Sequence, residues 1–265
     1  MAECDLALLE IIKNGFEAVA DEMAIILMRT AHSPIVRDAM DFSTALCDPY
    51  GQNIAQGLTT PMHLGSFYDA MQNLIGQYEG DINDGDIFIG NDPYIASGQH
   101  LPDIYVIKPL FHVGSRCGWA ATIAHHVDVG GLVPGSTSLS STSIHQEGLR
   151  LPFLKLLKKG VVDTAIQAII AANVRTPDLV LGDISAQCAA VQAGDRGLHD
   201  MLQRYGAERL AGDTTALHDY AEKLSRGATS NIADGTDKFE EHIDGHGEEG
   251  APGVLSRRVE GKGGG

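Results

Sequence analysis

Basic residues are scarce in this chain. Across 265 residues, 19 Lys and Arg stand against 35 Asp and Glu, a formal net charge of -16. Phosphate contacts need clustered Lys and Arg, so the balance argues against a nucleic-acid binder and equally against docking on an anionic membrane surface. Cysteine is sparse too. Cys4, Cys47, Cys117 and Cys188 are scattered without a CxxC spacing, which predicts reduced thiols in a cytoplasmic protein. No apolar run approaches the roughly 20 residues of a membrane span. The opening MAECDLALLE lacks the basic stretch and apolar block of a secretory signal. There is no GxxxxGK[ST] loop, no GxGxxG opening a helix and no GxSxG elbow, so Walker-type, dinucleotide and nucleophile-elbow chemistry find no support. No repeat of 20–50 residues suggests a solenoid.

What is present is a globular composition, 43% apolar, on a chain long enough to bury a sizeable core. Leu9, Ile12, Phe16, Val19, Met23, Ile26 and Thr30 recur at steps of three and four, which predicts one helix over 5–31, stopped at Ser33-Pro34. Asp48-Pro49-Tyr50-Gly51 is a turn between two strands. A helix is expected over 64–78. From 85 to 148 short β-rich runs (DIFIG, DIYVIKPLFHV, GWAATIAHHVDVGG) alternate with Gly, Pro and Asp turns. From about 152 the chain reads as three helices, the second broken near Gly194. From Asp234 onward eight glycines fall between Gly245 and Gly265, too little apolar content to order itself. The expected fold is α+β: an N-terminal helix, a central β-rich core carrying the site and a C-terminal helical segment. Residues 1–233 read as one domain and 234–265 as a disordered Gly-rich acidic tail.

Candidate chemistry concentrates in the β-rich segment, which holds His100, His112, His125, His126 and His145 of the chain's eleven histidines. In GNDPYIASGQHLPDI, His100 and Asp103 lie two residues apart across a proline. One rigid turn can thus offer nitrogen and oxygen to one metal. Asn91 and Asp92 precede them as substrate-side groups, against the plainer reading of a polar loop capped by Asp and Asn. In AHHVDVGG, His125 and His126 point to opposite faces of a strand, so only one easily shares a given pocket. Asp128 falls on the face of His126 and can orient its ring. In SIHQEG, His145 and Glu147 share a face, and Glu147 can act as a general base; a solvated loop carboxylate is the alternative. The run GSTSLSSTS reads as a flexible loop beside the pocket.

With these residues in view, the chain resembles the hydantoinase B/oxoprolinase family, which includes 5-oxoprolinase, the B-type chain of N-methylhydantoinase and the alpha chain of acetone carboxylase. The matching stretches are ADEMAIILMRTAHSPIVRDAMDFSTALCD, PMHLGS, GDIFIGNDPY, HLPDI, AHHVDVGG, HQEGLRLP, NVRTPDLVLGDISAQ and RYG, in the family's order. The resemblance implies a B-type subunit of an ATP-dependent hydrolase of cyclic amides, acting on 5-oxoproline, hydantoin or N-methylhydantoin, with ATP bound by an A-type partner subunit. It implies a divalent metal, Mn²⁺ or Zn²⁺, on His100, Asp103 and His125, with Asp38 as an upstream acid and Asp69 as a weaker fifth ligand. His126, Asp128 and Glu147 become the catalytic candidates. Acetone carboxylase-like ketone carboxylation is the alternative activity. Family members continue beyond Asp234-Gly235, so a truncated, non-catalytic scaffold is a third expectation.

Overall fold

The apolar stripe of the N-terminal segment forms helix α1, Leu6–Thr30, and its Leu9, Ile12, Phe16, Val19 and Met23 are buried. The structure is a computed structural model that describes residues 6–95, 100–233, 235–243 and 251–259. Ser33 ends the run by becoming a cap: its hydroxyl accepts the Val36 N–H and starts the one-turn helix α2, Pro34–Arg37. The Asp48–Gly51 turn forms as expected. The Asp48 carboxylate accepts the N–H groups of Tyr50 and Gln52, and Gly51 supplies a φ of +85°, which glycine adopts without steric cost. The turn joins strand β1, Phe42–Cys47, to β2, Asn53–Gln56.

A seven-stranded antiparallel sheet follows, in the order β2-β1-β5-β4-β3-β6-β7. Its remaining strands are β3 Ile87–Gly90, β4 Asp103–His112, β5 Ser115–His125, β6 Leu154–Lys158 and β7 Val161–Val162. Helix α3, Leu64–Gln77, covers one face. Its Phe67, Met71 and Leu74 pack with Tyr105, Ile107, Trp119, Ala121 and Ile123. The opposite face meets α1 and the long helix α5, Pro177–Tyr205. Thr44 there donates to the Ala20 carbonyl of α1, and Gln187 of α5 donates to the Ile104 carbonyl. Covering both faces explains why the central strands are near-continuous apolar runs rather than alternating ones.

The helical region starts later than the sequence predicts. Residues 154–162 are strands β6 and β7, turning through Lys159 and Gly160 with φ of +50° and +81°. Helix α4, Thr164–Asn173, begins only after Asp163 caps it by accepting the Ala165 N–H. Helix α5 runs unbroken through Gly194. A Cβ there would lie 2.6 Å from Met23 Sδ and 2.9 Å from Ala120 Cβ, so the glycine serves close packing rather than a break. Gly197 is similar, with Val19 Cγ1 at 2.6 Å. Helix α6, Ala207–Thr229, follows.

Two compact units divide the chain, residues 1–214 and 215–265. Within the segment expected to be a Gly-rich tail, two stretches are described. Strands β8, Gly235–Ile243, and β9, Ala251–Val259, pair antiparallel, with Thr236 opposite Arg258. A hairpin needs only local backbone pairing, whereas the expectation weighed apolar burial alone. Positions 234, 244–250 and 260–265 lie outside the described residues. Among the described residues no helix is long and apolar enough to cross a membrane. Cys47, Cys117 and Cys188 are free; burial pushes their thiols up to about 12, 11 and 12, so they are poor nucleophiles. Cys4 lies outside the described residues.

Candidate metal centre

Sheet register brings distant residues to one strand end. Phe42 pairs with Ala124 and Asp103 with His125. The start of β1, the end of β5 and the start of β4 therefore lie side by side. Asp41 precedes β1, and its carbonyl accepts the His125 N–H at 3.0 Å. The preceding Met40 sits at φ +55°, an uncommon conformation for a side-chain-bearing residue, of the kind often held at functional sites. His100 lies one turn before β4, where its carbonyl accepts the Asp103 N–H at 3.1 Å. Its Nε2 is 3.1 Å from Asp103 Oδ1, and its ring centroid is 4.9 Å from that of His125.

His63 completes the group. It ends a short 3-10 turn, Pro61–His63, directly before α3, and Ser66 pins that turn by donating to the His63 carbonyl. Its Nε2 lies 3.9 Å from Asp103 Oδ1 and 4.0 Å from Asp41 Oδ1. The Asp103 side chain is 2% exposed and His63 1%, while His100 opens to solvent at 40%. The two neighbouring imidazoles are driven apart in basicity. The hydrogen bond to Asp103 raises His100 above the ordinary histidine range. Burial, then the nearby His100, lowers His125, which favours a neutral ring with a lone pair to give.

The remaining expected residues fall elsewhere. Asp38 is exposed and engaged by the Arg37 guanidinium at 2.9 Å, so Asp41, three residues on, is the acid at the cluster. Asp69 is on the exposed side of α3. His126, the first residue beyond β5, points to the opposite side from His125, as strand parity predicts. It is buried, and its Nε2 donates to Gln187 Oε1 at 3.0 Å, while Gln187 Nε2 donates to the Ile104 carbonyl. Burial holds its ring below the ordinary range, against the opposing pull of Asp183. Asp128 does not orient His126. It accepts the Arg175 backbone N–H at 2.6 Å and its guanidinium at 2.8 Å, and Arg175 also reaches the Gly131 and Val133 carbonyls. Asp128 therefore organises the loop after β5. Asn91 is a buried staple, donating to the Leu101 and Leu149 carbonyls and accepting the Leu151 N–H. Asp92 accepts the Tyr94 N–H and pairs with Arg150. Both side chains are engaged in these contacts within the fold. Glu147 is half-buried and close enough to His100 to favour its charged form.

Three imidazoles and two carboxylates thus share one strand end. Mixed N and O donors of this kind suit Mn²⁺ or Zn²⁺. Two ligands each about 2.1 Å from an ion lie no more than about 4.2 Å apart, and the 3.1, 3.9 and 4.0 Å separations meet that limit. As the side chains stand, no group of three or more His, Cys, Asp or Glu among the described residues is arranged so that it could hold a metal ion. The His100–Asp103 hydrogen bond occupies lone pairs that a cation would take instead. The buried His125 Nδ1 has no hydrogen-bond partner.

Comparison with known proteins agrees with the fold. The family model of hydantoinase B/oxoprolinase matches residues 5–261. An uncharacterized protein of Methanocaldococcus jannaschii is 36% identical over 231 residues, 86% of this chain and 41% of that protein. The beta subunit of the caprolactamase of Pseudomonas jessenii is 32% identical over 235 residues, covering 89% of this chain and 40% of the relative. The chain therefore spans less than half the length of these relatives. The crystal structure of the ATP-dependent caprolactamase from Pseudomonas jessenii matches with a TM-score of 0.88 at 30% identity, over 96% of this chain and 45% of that one. A nucleotide-free acetone carboxylase structure matches with a TM-score of 0.78 at 20% identity, over 89% of this chain and 31% of that one; at that identity the likeness concerns the fold alone. With the family model covering nearly the whole chain, this protein belongs to the hydantoinase B/oxoprolinase family.

Proposed function

We propose that this chain is the B-type part of an ATP-dependent cyclic-amide hydrolase, working in the cytoplasm beside an A-type subunit that binds ATP. The observation that carries the reading is the strand-end cluster of Asp41, His63, His100, Asp103 and His125, in a chain similar to the beta subunit of a caprolactamase. His100, Asp103 and His125, with Asp41 beside them, are the residues that would hold a divalent cation, and the chemistry such an ion would supply is Lewis acidity toward a carbonyl or a water. The chain's own residues do the rest. Asp103, buried at the start of β4, holds its carboxylate beside the His100 ring. His125, lowered by burial, presents a neutral nitrogen near neutral pH. Glu147, at the half-buried rim, is placed to take a proton from a water near His100. The substrate class is that suggested by the relatives' names, lactams and cyclic imides of the 5-oxoproline, hydantoin and caprolactam kind.

The test supplies an A-type subunit, ATP and each lactam in turn, and measures phosphate release with ring opening. Lactam-dependent turnover that is lost on Asp103→Asn supports the reading. Turnover only with acetone and bicarbonate would replace it with ketone carboxylation. Stoichiometric metal without turnover on any of these substrates would leave a binding partner that does no chemistry.

A further inference from the structure

Two motifs that the strand-end cluster leaves unused, VDVGG at 127–131 and HQEGLR at 145–150, meet around a cavity of about 440 Å³. The Leu149 N–H donates to the Val129 carbonyl and the Leu132 N–H to the Gln146 carbonyl, which ties the two loops together. Gly130 and Gly131 sit at φ of +90° and +82°. A Cβ on either would strike backbone, 2.5 Å from the Asn173 carbonyl oxygen and 2.6 Å from that of Gln146. Backbone packing therefore sets the walls before any ligand arrives.

The lining has an unusual charge for this chain. Acids outnumber bases 35 to 19, yet the ionisable side chains on the wall are His145 and Arg150, with no carboxylate among the described residues that line it. Arg150 is anchored: its Nε lies 3.1 Å from Oδ2 of the buried Asp92, whose Oδ1 accepts the Tyr94 N–H. Neither Nη group of Arg150 has a partner among the described residues, and a guanidinium fork of this kind matches a planar carboxylate. Asp92 offsets part of the charge, so the remainder suits one negative charge better than a doubly charged phosphate. Asn173, the last residue of α4, supplies the opposite character. Its Nδ2 donates to the Ile169 carbonyl at 2.8 Å, which leaves its amide oxygen without a partner among the described residues. That oxygen and the carbonyls of the helix end repel an anion and attract an N–H.

We propose that this cavity is a binding subsite for a cyclic amide that carries a carboxylate, with the carboxylate on the Arg150 guanidinium and the ring N–H on Asn173 Oδ1. His145 adds a ring N–H to the same wall. Asp92 is a positioning residue and acts only through Arg150. Asn91 ties the cavity to the strand-end cluster, because its amide donates both to the Leu149 carbonyl on the cavity wall and to the Leu101 carbonyl beside His100. This inference rests on the cyclic-amide reading above and narrows it to lactam acids.

The experiment titrates the full chain by calorimetry with three probes: 5-oxoproline, 2-pyrrolidinone (the same ring without the carboxylate) and inorganic phosphate. Wild type should bind 5-oxoproline at least about tenfold more tightly than 2-pyrrolidinone. Arg150→Gln should weaken 5-oxoproline about 10–100-fold and leave 2-pyrrolidinone unchanged, with far-UV circular dichroism intact. Asn173→Leu should weaken both lactams by the same factor, since both carry the ring N–H. Equal affinity for the two lactams in wild type, or no 5-oxoproline binding, would overturn the inference whatever the variants do. So would phosphate binding in place of 5-oxoproline, or 5-oxoproline affinity unchanged in Arg150→Gln. Turnover of neutral lactams with an A-type subunit, without any preference for the carboxylate, would defeat this inference and leave the hydrolase reading standing. Arg150-dependent binding of 5-oxoproline without turnover would keep the subsite and defeat the hydrolase reading.

Discussion

At the residue scale, the account separates two acids only three positions apart. Asp38 is spent on Arg37 at the surface, whereas Asp41 stands beside His63 and, through its carbonyl, His125. Replacing Asp41 by Asn should lower divalent-metal affinity by at least about tenfold, and replacing Asp38 by Asn should leave it unchanged; titration calorimetry of both variants checks the pair. Gln187 makes a different kind of claim. Its amide satisfies the His126 Nε2–H and the Ile104 carbonyl in a dry layer. Gln187→Leu leaves both unpaired and should cost roughly 1–3 kcal/mol for each stranded group, measurable by urea unfolding. Asp86 supplies a pH test. Burial opposes its charge, but the N–H groups of Lys159 and Asn83 and the Lys155 ammonium outweigh burial and hold its carboxyl below the usual range. Its stabilising contribution is therefore complete above the unfolded value of about 3.9 and is lost as pH falls through the lowered one. Asp86→Asn should be less stable than wild type at pH 7, and the gap should close in acid.

At the element scale, α5 is the part most constrained by its neighbours. Gly197 lets it press against Val19 of α1, whose branched side chain has little freedom to move aside. Gly197→Ala gains helix propensity yet should destabilise by about 1–3 kcal/mol through overpacking. On α6, a Cβ at Gly212 meets nothing within 4 Å, so Gly212→Ala should stabilise by roughly 0.5–1 kcal/mol; thermal melts of the two variants should move in opposite directions. These positions also show how far the sequence could be read. The stripe of α1, the Asp48–Gly51 turn and the strands around His125 were legible because each is a local pattern. Gly194 looked like a break because the sequence alone does not reveal that Met23 and Ala120 lie against it. Strands β6 and β7 were absorbed into a helical region because LKLLK carries no strand alternation, and its place beside β3 is set by tertiary pairing.

At the scale of the whole molecule, the same distinction governs the candidate site. His100 and Asp103 share one turn, so their meeting was readable from HLPDI, and strand parity separated His125 from His126. Asp41 and His63 were not readable as partners. Their approach depends on β1 lying beside β5 and on α3 covering one face, both long-range consequences of the fold. Asn91, Asp92 and Asp128 looked chemical because polar residues near turns do, but their oxygens are consumed in holding loops. The excess of 16 acidic charges adds a general field that draws cations toward the surface, and on the proposed reading the selectivity would come from the cluster at the strand end. Anomalous diffraction from crystals of the full chain soaked in Mn²⁺ or Zn²⁺ tests this account most directly. It predicts one strong peak within ligand distance of His100, Asp103 and His125, on the side facing Asp41 and His63. Peaks only on scattered surface carboxylates, with the His100–Asp103 hydrogen bond intact, would contradict it.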